Sequence, residues 1–213
     1  MVNIFNEVDE DIRKEKYQNL WRKYGKYLIG FIVLIVLIFS SMQYLQSKKI
    51  SDNKKILDVY FSAVESMEEN QLDTAIQSLE NVYIEKNKVL VAFSGYKLSE
   101  IYLKNDEKEK ALATLDMIIS NISLDSIYRE LALYKYIMID FDNLELNYID
   151  EKLNSIKAPK RILTPYFQEI IGIKHLTLGN INKAKSIFND LVLNENTPFD
   201  LRIRLDKLIQ IAN

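Results

Sequence analysis

The sequence predicts an all-α protein, a single N-terminal apolar helix followed by a stack of paired amphipathic helices. Three observations predict it. From residue 55 onward, apolar side chains recur at helical spacing with no strand-like alternation. Only three prolines and five glycines occur in 213 residues, too few for a turn-rich β fold. Residues 27–47 carry no charge, and Leu28–Phe39 within them is apolar apart from Gly30.

The first 26 residues read as an amphipathic leader. Tyr17, Leu20, Trp21 and Tyr24 fall on one helical face, and Arg13, Lys16, Arg22 and Lys23 suit anionic headgroups. The 21 residues of 27–47 would rise about 31 Å as a helix, the thickness of a bilayer core, so a transmembrane helix is expected there. A cleaved signal peptide fits less well, because the leader is long and carries Glu7, Asp9, Glu10, Asp11 and Glu15. Six Lys/Arg in the leader against four beyond the run (Lys48, Lys49, Lys54, Lys55) favour a cytoplasmic N-terminus. Residues 48–56 are expected to be a juxtamembrane linker.

Residues 57–213 read as a repeat domain. Ile56, Val59, Tyr60, Ala63 and Met67 share a face, followed by Leu72, Ala75, Ile76, Leu79 and Val82. The second pair carries Tyr96, Ile101, Tyr102 and Leu103, then Ala111, Leu115, Ile118 and Ile119. The third runs Leu131, Tyr134 and Met138, then Leu146, Ile149 and Leu153; the fourth runs Phe167, Ile170 and Leu178, then Ala184, Ile187 and Leu191. Polar turns at Glu69-Asn70-Gln71, Asn105-Asp106-Glu107, Asp142-Asn143 and Gly179-Asn180 separate the partners. Thr164-Pro165 and Thr197-Pro198 each read as a cap followed by proline at the first helical position, and a last helix over about 198–211 would close the stack.

Ala75, Ala111 and Ala184 are separated by 36 and 73 residues, about one and two repeats. They fit the small position of a tetratricopeptide template, where two helices cross closely. Tyr102 and Gly172 fit its aromatic and small positions. The third pair, with Asn147 near the expected alanine, is degenerate. The expected architecture is a tetratricopeptide-like α-solenoid of about four degenerate helix pairs plus a capping helix.

The leader Glu7-Val8-Asp9-Glu10-Asp11-Ile12-Arg13-Lys14-Glu15, then Leu20-Trp21-Arg22-Lys23-Tyr24-Gly25, with one anchor and degenerate repeats behind it, resembles the YfgM-type ancillary subunits of the Sec translocon. The resemblance implies a single-pass protein of the bacterial inner membrane with a periplasmic repeat domain. It further implies Sec translocon subunits and a membrane-anchored periplasmic chaperone as partners, with a role in protein transport.

Composition narrows the chemistry. Residues 49–213 hold 21 Lys/Arg and 25 Asp/Glu, with no basic run suited to nucleic acid. Cysteine is absent, which excludes thiol catalysis and disulfides. His175 is the single histidine and is expected to pack between helices. No glycine-rich phosphate loop or nucleophile motif occurs, so no enzyme, metal or cofactor is expected. Asn121-Ile122-Ser123 matches a glycosylation sequon of low specificity.

Recognition is the expected chemistry. On the template, Phe93, Tyr96 and Glu100 of the second pair and Tyr166, Glu169 and Ile173 of the fourth face the inner wall of the stack, where aromatic rings beside carboxylates suit a peptide or partner helix. The same residues equally suit lateral core positions. The expected function is a membrane-anchored interaction module linking the translocon to chaperones or emerging clients. The rival is a scaffold for a cell-envelope assembly complex.

Overall fold

A computed structural model describes the backbone of residues 3–84, 87–158 and 161–212, with side chains at 22–24, 31 and throughout those stretches from 34. Among the described residues there are nine helices and no strand: α1 (Asn3–Glu68), α2 (Leu72–Tyr83), α3 (Lys88–Lys104), α4 (Lys108–Ser120), α5 (Ser126–Asp140), α6 (Leu146–Ser155), α7 (Thr164–Thr177), α8 (Ile181–Leu193) and α9 (Phe199–Ile211). The chain divides into two compact units, residues 1–55 and 56–213.

In the first unit the expected membrane span is corrected. Among the described residues no helix is long and apolar enough to cross a membrane. Among the side chains of α1 described continuously, from 34 onward, the apolar residues Leu34–Phe39 come first. Ser40-Ser41, Gln43, Gln46-Ser47 and Lys48-Lys49 then dilute them. The side chains of 27–30, Ile32 and Val33 lie outside the described residues, as do Tyr17, Leu20 and Trp21 of the expected leader face. The single-pass inner-membrane topology loses its basis with the span. Residues 48–56, expected as a linker, continue α1.

The second unit is a stack of helix pairs. Residues 56–68 of α1 pair with α2, α3 with α4, α5 with α6 and α7 with α8, while α9 packs on α8. The second helices carry a buried triplet at spacings of four and three: Ala75-Leu79-Val82, Ala111-Leu115-Ile118, Ile149-Leu153-Ile156 (Ile156 at the C-cap of α6) and Ala184-Phe188-Leu191. Twelve residues before each triplet stands a buried residue of the first helix: Ala63, Ser99, Ile137 and Gly172. Gly172 is small of necessity, since a Cβ there would collide with the buried ring of Phe188. The third pair alone has isoleucine at both places. Asn147, the expected stand-in for alanine, is exposed; Ile149 holds the position.

The turns repeat as well. Asn70, Asp106 and Gly179 adopt left-handed backbone (φ 61°, 60° and 76°), each five residues before its alanine. The next residue then donates its N–H to the carbonyl five back: Gln71 to Ser66 at 2.8 Å, Glu107 to Tyr102 at 2.8 Å and Asn180 to His175 at 2.9 Å. This closes the first helix of each pair and satisfies carbonyls that would otherwise have no partner. The α5–α6 turn lacks such a residue.

The two expected threonine caps are corrected. Thr164 is already helical and its hydroxyl donates to the Arg161 carbonyl at 3.2 Å, while Pro198 itself takes the N-cap place of α9 and the Thr197 hydroxyl is buried without a partner. A side-chain cap occurs instead at Asn87, whose amide oxygen accepts from the Leu90 N–H at 3.2 Å. Asn121 also folds back locally, accepting from both the Ser123 N–H and hydroxyl.

Candidate binding face

Stacking brings the first helices of the pairs side by side. Counting from the triplets, Tyr60, Tyr96, Tyr134 and Glu169 occupy one equivalent position in successive first helices. Their contacts run along the row. The Tyr96 hydroxyl donates to the Tyr128 carbonyl of α5 at 2.6 Å, and burial holds that phenol far above its ordinary range. Phe93 meets Tyr96 and Tyr128 edge-on, with ring centroids 5.9 and 6.2 Å away. Tyr134 meets Tyr166 and Phe167 of α7 edge-on at 6.4 and 6.2 Å. Such aromatic pairs contribute about 0.5–1.5 kcal/mol each beyond the area they bury.

Between α3 and α5 this face opens into a cavity of ≈ 230 Å³ bordered by Tyr96, Glu100, Leu103, Tyr134, Lys135 and Met138. Lys135 places its ammonium over the Tyr96 ring, 5.8 Å from the centroid. Glu100 pairs with Lys97 at 3.0 Å and Lys104 at 4.0 Å, and the hydrogen bond from Lys97 holds its carboxyl below the ordinary value.

The six residues singled out from sequence divide between this cavity and the packing around it. Tyr96 and Glu100 border the cavity, and Phe93, 42% exposed, sits beside it. Tyr166 and Ile173 are half-buried against the C-terminal cluster. Glu169 is buried and held by Arg204 of α9 through two bonds of 2.9 Å, so it ties the capping helix to α7. The carboxylate in turn raises the guanidinium's affinity for its proton. Leu103, Tyr134, Lys135 and Met138 were missed. The signal that finds Tyr134, Lys135 and Met138 is the Ile149-Leu153-Ile156 triplet, which sets the register of the third pair once isoleucine is admitted where alanine is usual.

His175 is buried, with its Nδ1 unpartnered, and burial lowers its affinity for a proton. Among the described residues no group of three or more His, Asp or Glu side chains could hold a metal ion.

Residues 56–213 therefore belong structurally to the class of helical-hairpin solenoids with tetratricopeptide-like packing. No protein-family model matches the chain, and no curated protein or solved structure matches it. The expected YfgM-type identity is corrected accordingly. With no matching relative, and no membrane-spanning helix among the described residues, nothing supports Sec translocon subunits, a periplasmic chaperone or a lipid bilayer as partners. The physical reason is that stacked amphipathic hairpins solve a general packing problem and are compatible with many functions. A short charged leader does not narrow that choice.

Proposed function

We propose that residues 56–213 serve as a non-enzymatic protein-interaction scaffold whose binding surface is the row of first helices α3, α5 and α7. The observation that carries this reading is the aromatic-lined opening between α3 and α5, where exposed apolar side chains (Phe93, Leu103, Met138) stand beside partly buried tyrosines. Aromatic and methionine side chains ringed by polar groups are the composition of the centre of a protein interface. Rigid tyrosines lose little entropy when a partner orders on them. The groove's one carboxylate, Glu100, is ionised and engaged by two lysines, which suits orientation of a partner better than proton transfer.

Site-specific photocrosslinking in cells tests the reading. A photoreactive phenylalanine analogue at Phe93 should give discrete crosslinked species, whereas the same group at Met117, exposed on the second-helix side at α4, should give few. Equal capture from both positions would refute a binding surface on the first helices.

A further inference from the structure

We infer that the groove between α3 and α5 receives an acidic peptide segment, one apolar side chain of which enters the cavity while its carboxylates lie over Lys135 and the lysines of α3. The inference rests on the proposed scaffold function and names the partner's chemistry. Size argues for a peptide. A cavity of ≈ 230 Å³ is smaller than the roughly 300–1,000 Å³ of a small-molecule site, and it accommodates a single side chain against Leu103 and Met138. Charge argues for acid. Three lysines (Lys97, Lys104, Lys135) surround the single Glu100 in a chain whose net charge is −2. Lys135 has no carboxylate within 4.0 Å among the described residues; it rests on the face of Tyr96, its charge acting on Glu100 from farther off, and its ammonium can take an incoming carboxylate. A basic segment would instead have to displace Lys97 from Glu100 at 3.0 Å and approach Lys135 with like charge. The buried Tyr96 hydroxyl is already committed to Tyr128, so the ring presents its π face to Lys135 and does not compete for the ligand.

The test uses the full chain and three fluorescein-labelled ten-residue peptides, each with a central Leu-Phe pair. The flanks are Asp/Glu in the first, Lys/Arg in the second and Asn/Gln in the third. Fluorescence anisotropy at low and moderate salt should show the acidic peptide binding at least about tenfold tighter than the basic one, with the advantage shrinking as salt rises. Lys135→Glu should weaken the acidic peptide about tenfold and improve the basic one, since reversal removes an attraction and adds a repulsion. Met138→Arg should weaken all three peptides by blocking the cavity. Circular dichroism and melting curves confirm that each variant is folded. Equal binding of acidic and basic peptides, still lost in Met138→Arg, would overturn the acidic assignment and leave the scaffold reading in place. Absence of binding by every peptide would overturn the inference, and the crosslinking comparison at Phe93 and Met117 would then decide the scaffold reading separately.

Discussion

Glu130, in the second turn of α5, is buried, with its Oε1 lacking any partner. Burial raises its proton affinity, opposed by the nearby Arg161 charge and by a hydrogen bond from the Leu163 N–H. The linkage has a definite sign. Below the ordinary glutamate value of 4.5 both folded and unfolded chains hold the proton, and the group leaves stability unchanged. As pH rises past that value the unfolded chain releases its proton first, so the folded state loses stability until pH passes its raised value. Glu130→Gln removes that loss. The melting-temperature difference, variant minus wild type, should grow more positive from below pH 4.5 toward neutrality, at roughly 2–4 °C per kcal/mol for a domain of this size. Thermal melts of both proteins across that range measure it, and a pH-independent difference would refute the assignment. The lowered carboxyls of Glu100 and Asp140 act on the other side, removing stability as pH falls below their ordinary values, so they do not confuse the comparison. Sequence reading could not single out Glu130, since a glutamate between Arg129 and Leu131 reads as surface charge. The same holds for Lys174, which is buried and donates to the carbonyls of Phe141 and Asp142 at 2.7 and 3.1 Å. Its acceptors lie more than thirty residues away in sequence. The buried alanines were legible because their chemistry is local and periodic.

At the scale of elements, the third pair shows where the repeat pattern stops being readable from residue types. Ala75, Ala111 and Ala184 announce their pairs, but α5 and α6 carry Ile137 and Ile149 at the corresponding places, both fully buried. The spacing of the triplet persists and the volume does not. A template that asks for alanine therefore slips to Asn147 and takes Tyr134, Lys135 and Met138 out of the candidate site. Restoring the template residue should consequently do harm. Ile149→Ala removes a fully buried side chain from the central cluster and leaves a cavity among its bulky neighbours, a cluster that also holds Ile137 and Leu153. The expected cost is about 2–5 kcal/mol, read by urea denaturation as a lower midpoint with little change in slope. A neutral or stabilising Ile149→Ala would mean that the pair can close onto an alanine. The arginines tell the same story of hidden periodicity. Arg129 and Arg202 stand 73 residues apart, the interval of Ala111 and Ala184. Arg129 donates from Nε to the Ile119 carbonyl at 2.7 Å, and Arg202 bonds the carbonyls of Asn194, Glu195 and Thr197 at 2.9–3.2 Å. Each cation sits at the C-terminal end of the preceding second helix, where the helix dipole favours it.

At the scale of the repeat unit, the core is a chain of three clusters. One is built on Ala63, Ala75, Leu79 and Ile101, a central one runs from Ala92 to Ile171, and a C-terminal one gathers Ala184, Phe188, Leu191, Leu201 and Leu205. Tyr83 packs against both the first and the second, and Ile187 against both the second and the third. A stack of this kind is held by nearest-neighbour contacts, so damage at one end should be felt there first. Phe188 offers the sharpest test. Its ring is fully buried and fills the space that Gly172 leaves open across the α7–α8 crossing. Phe188→Ala should cost about 3–5 kcal/mol, since the glycine opposite offers no side chain to refill the cavity. Hydrogen exchange on the full chain should then show amides of α7, α8 and α9 opening at lower free energy, while those of α2 and α3 keep their wild-type protection. The Glu169–Arg204 pair should be lost with the same opening, because it joins α7 to α9. A uniform rise in exchange from α2 to α9 would show instead that Tyr83 and Ile187 couple the clusters into one all-or-none unit. In that case a partner docked between α3 and α5 would stabilise α9 as strongly as it stabilises α3. With graded coupling its protection would fade along the stack toward the C-terminus.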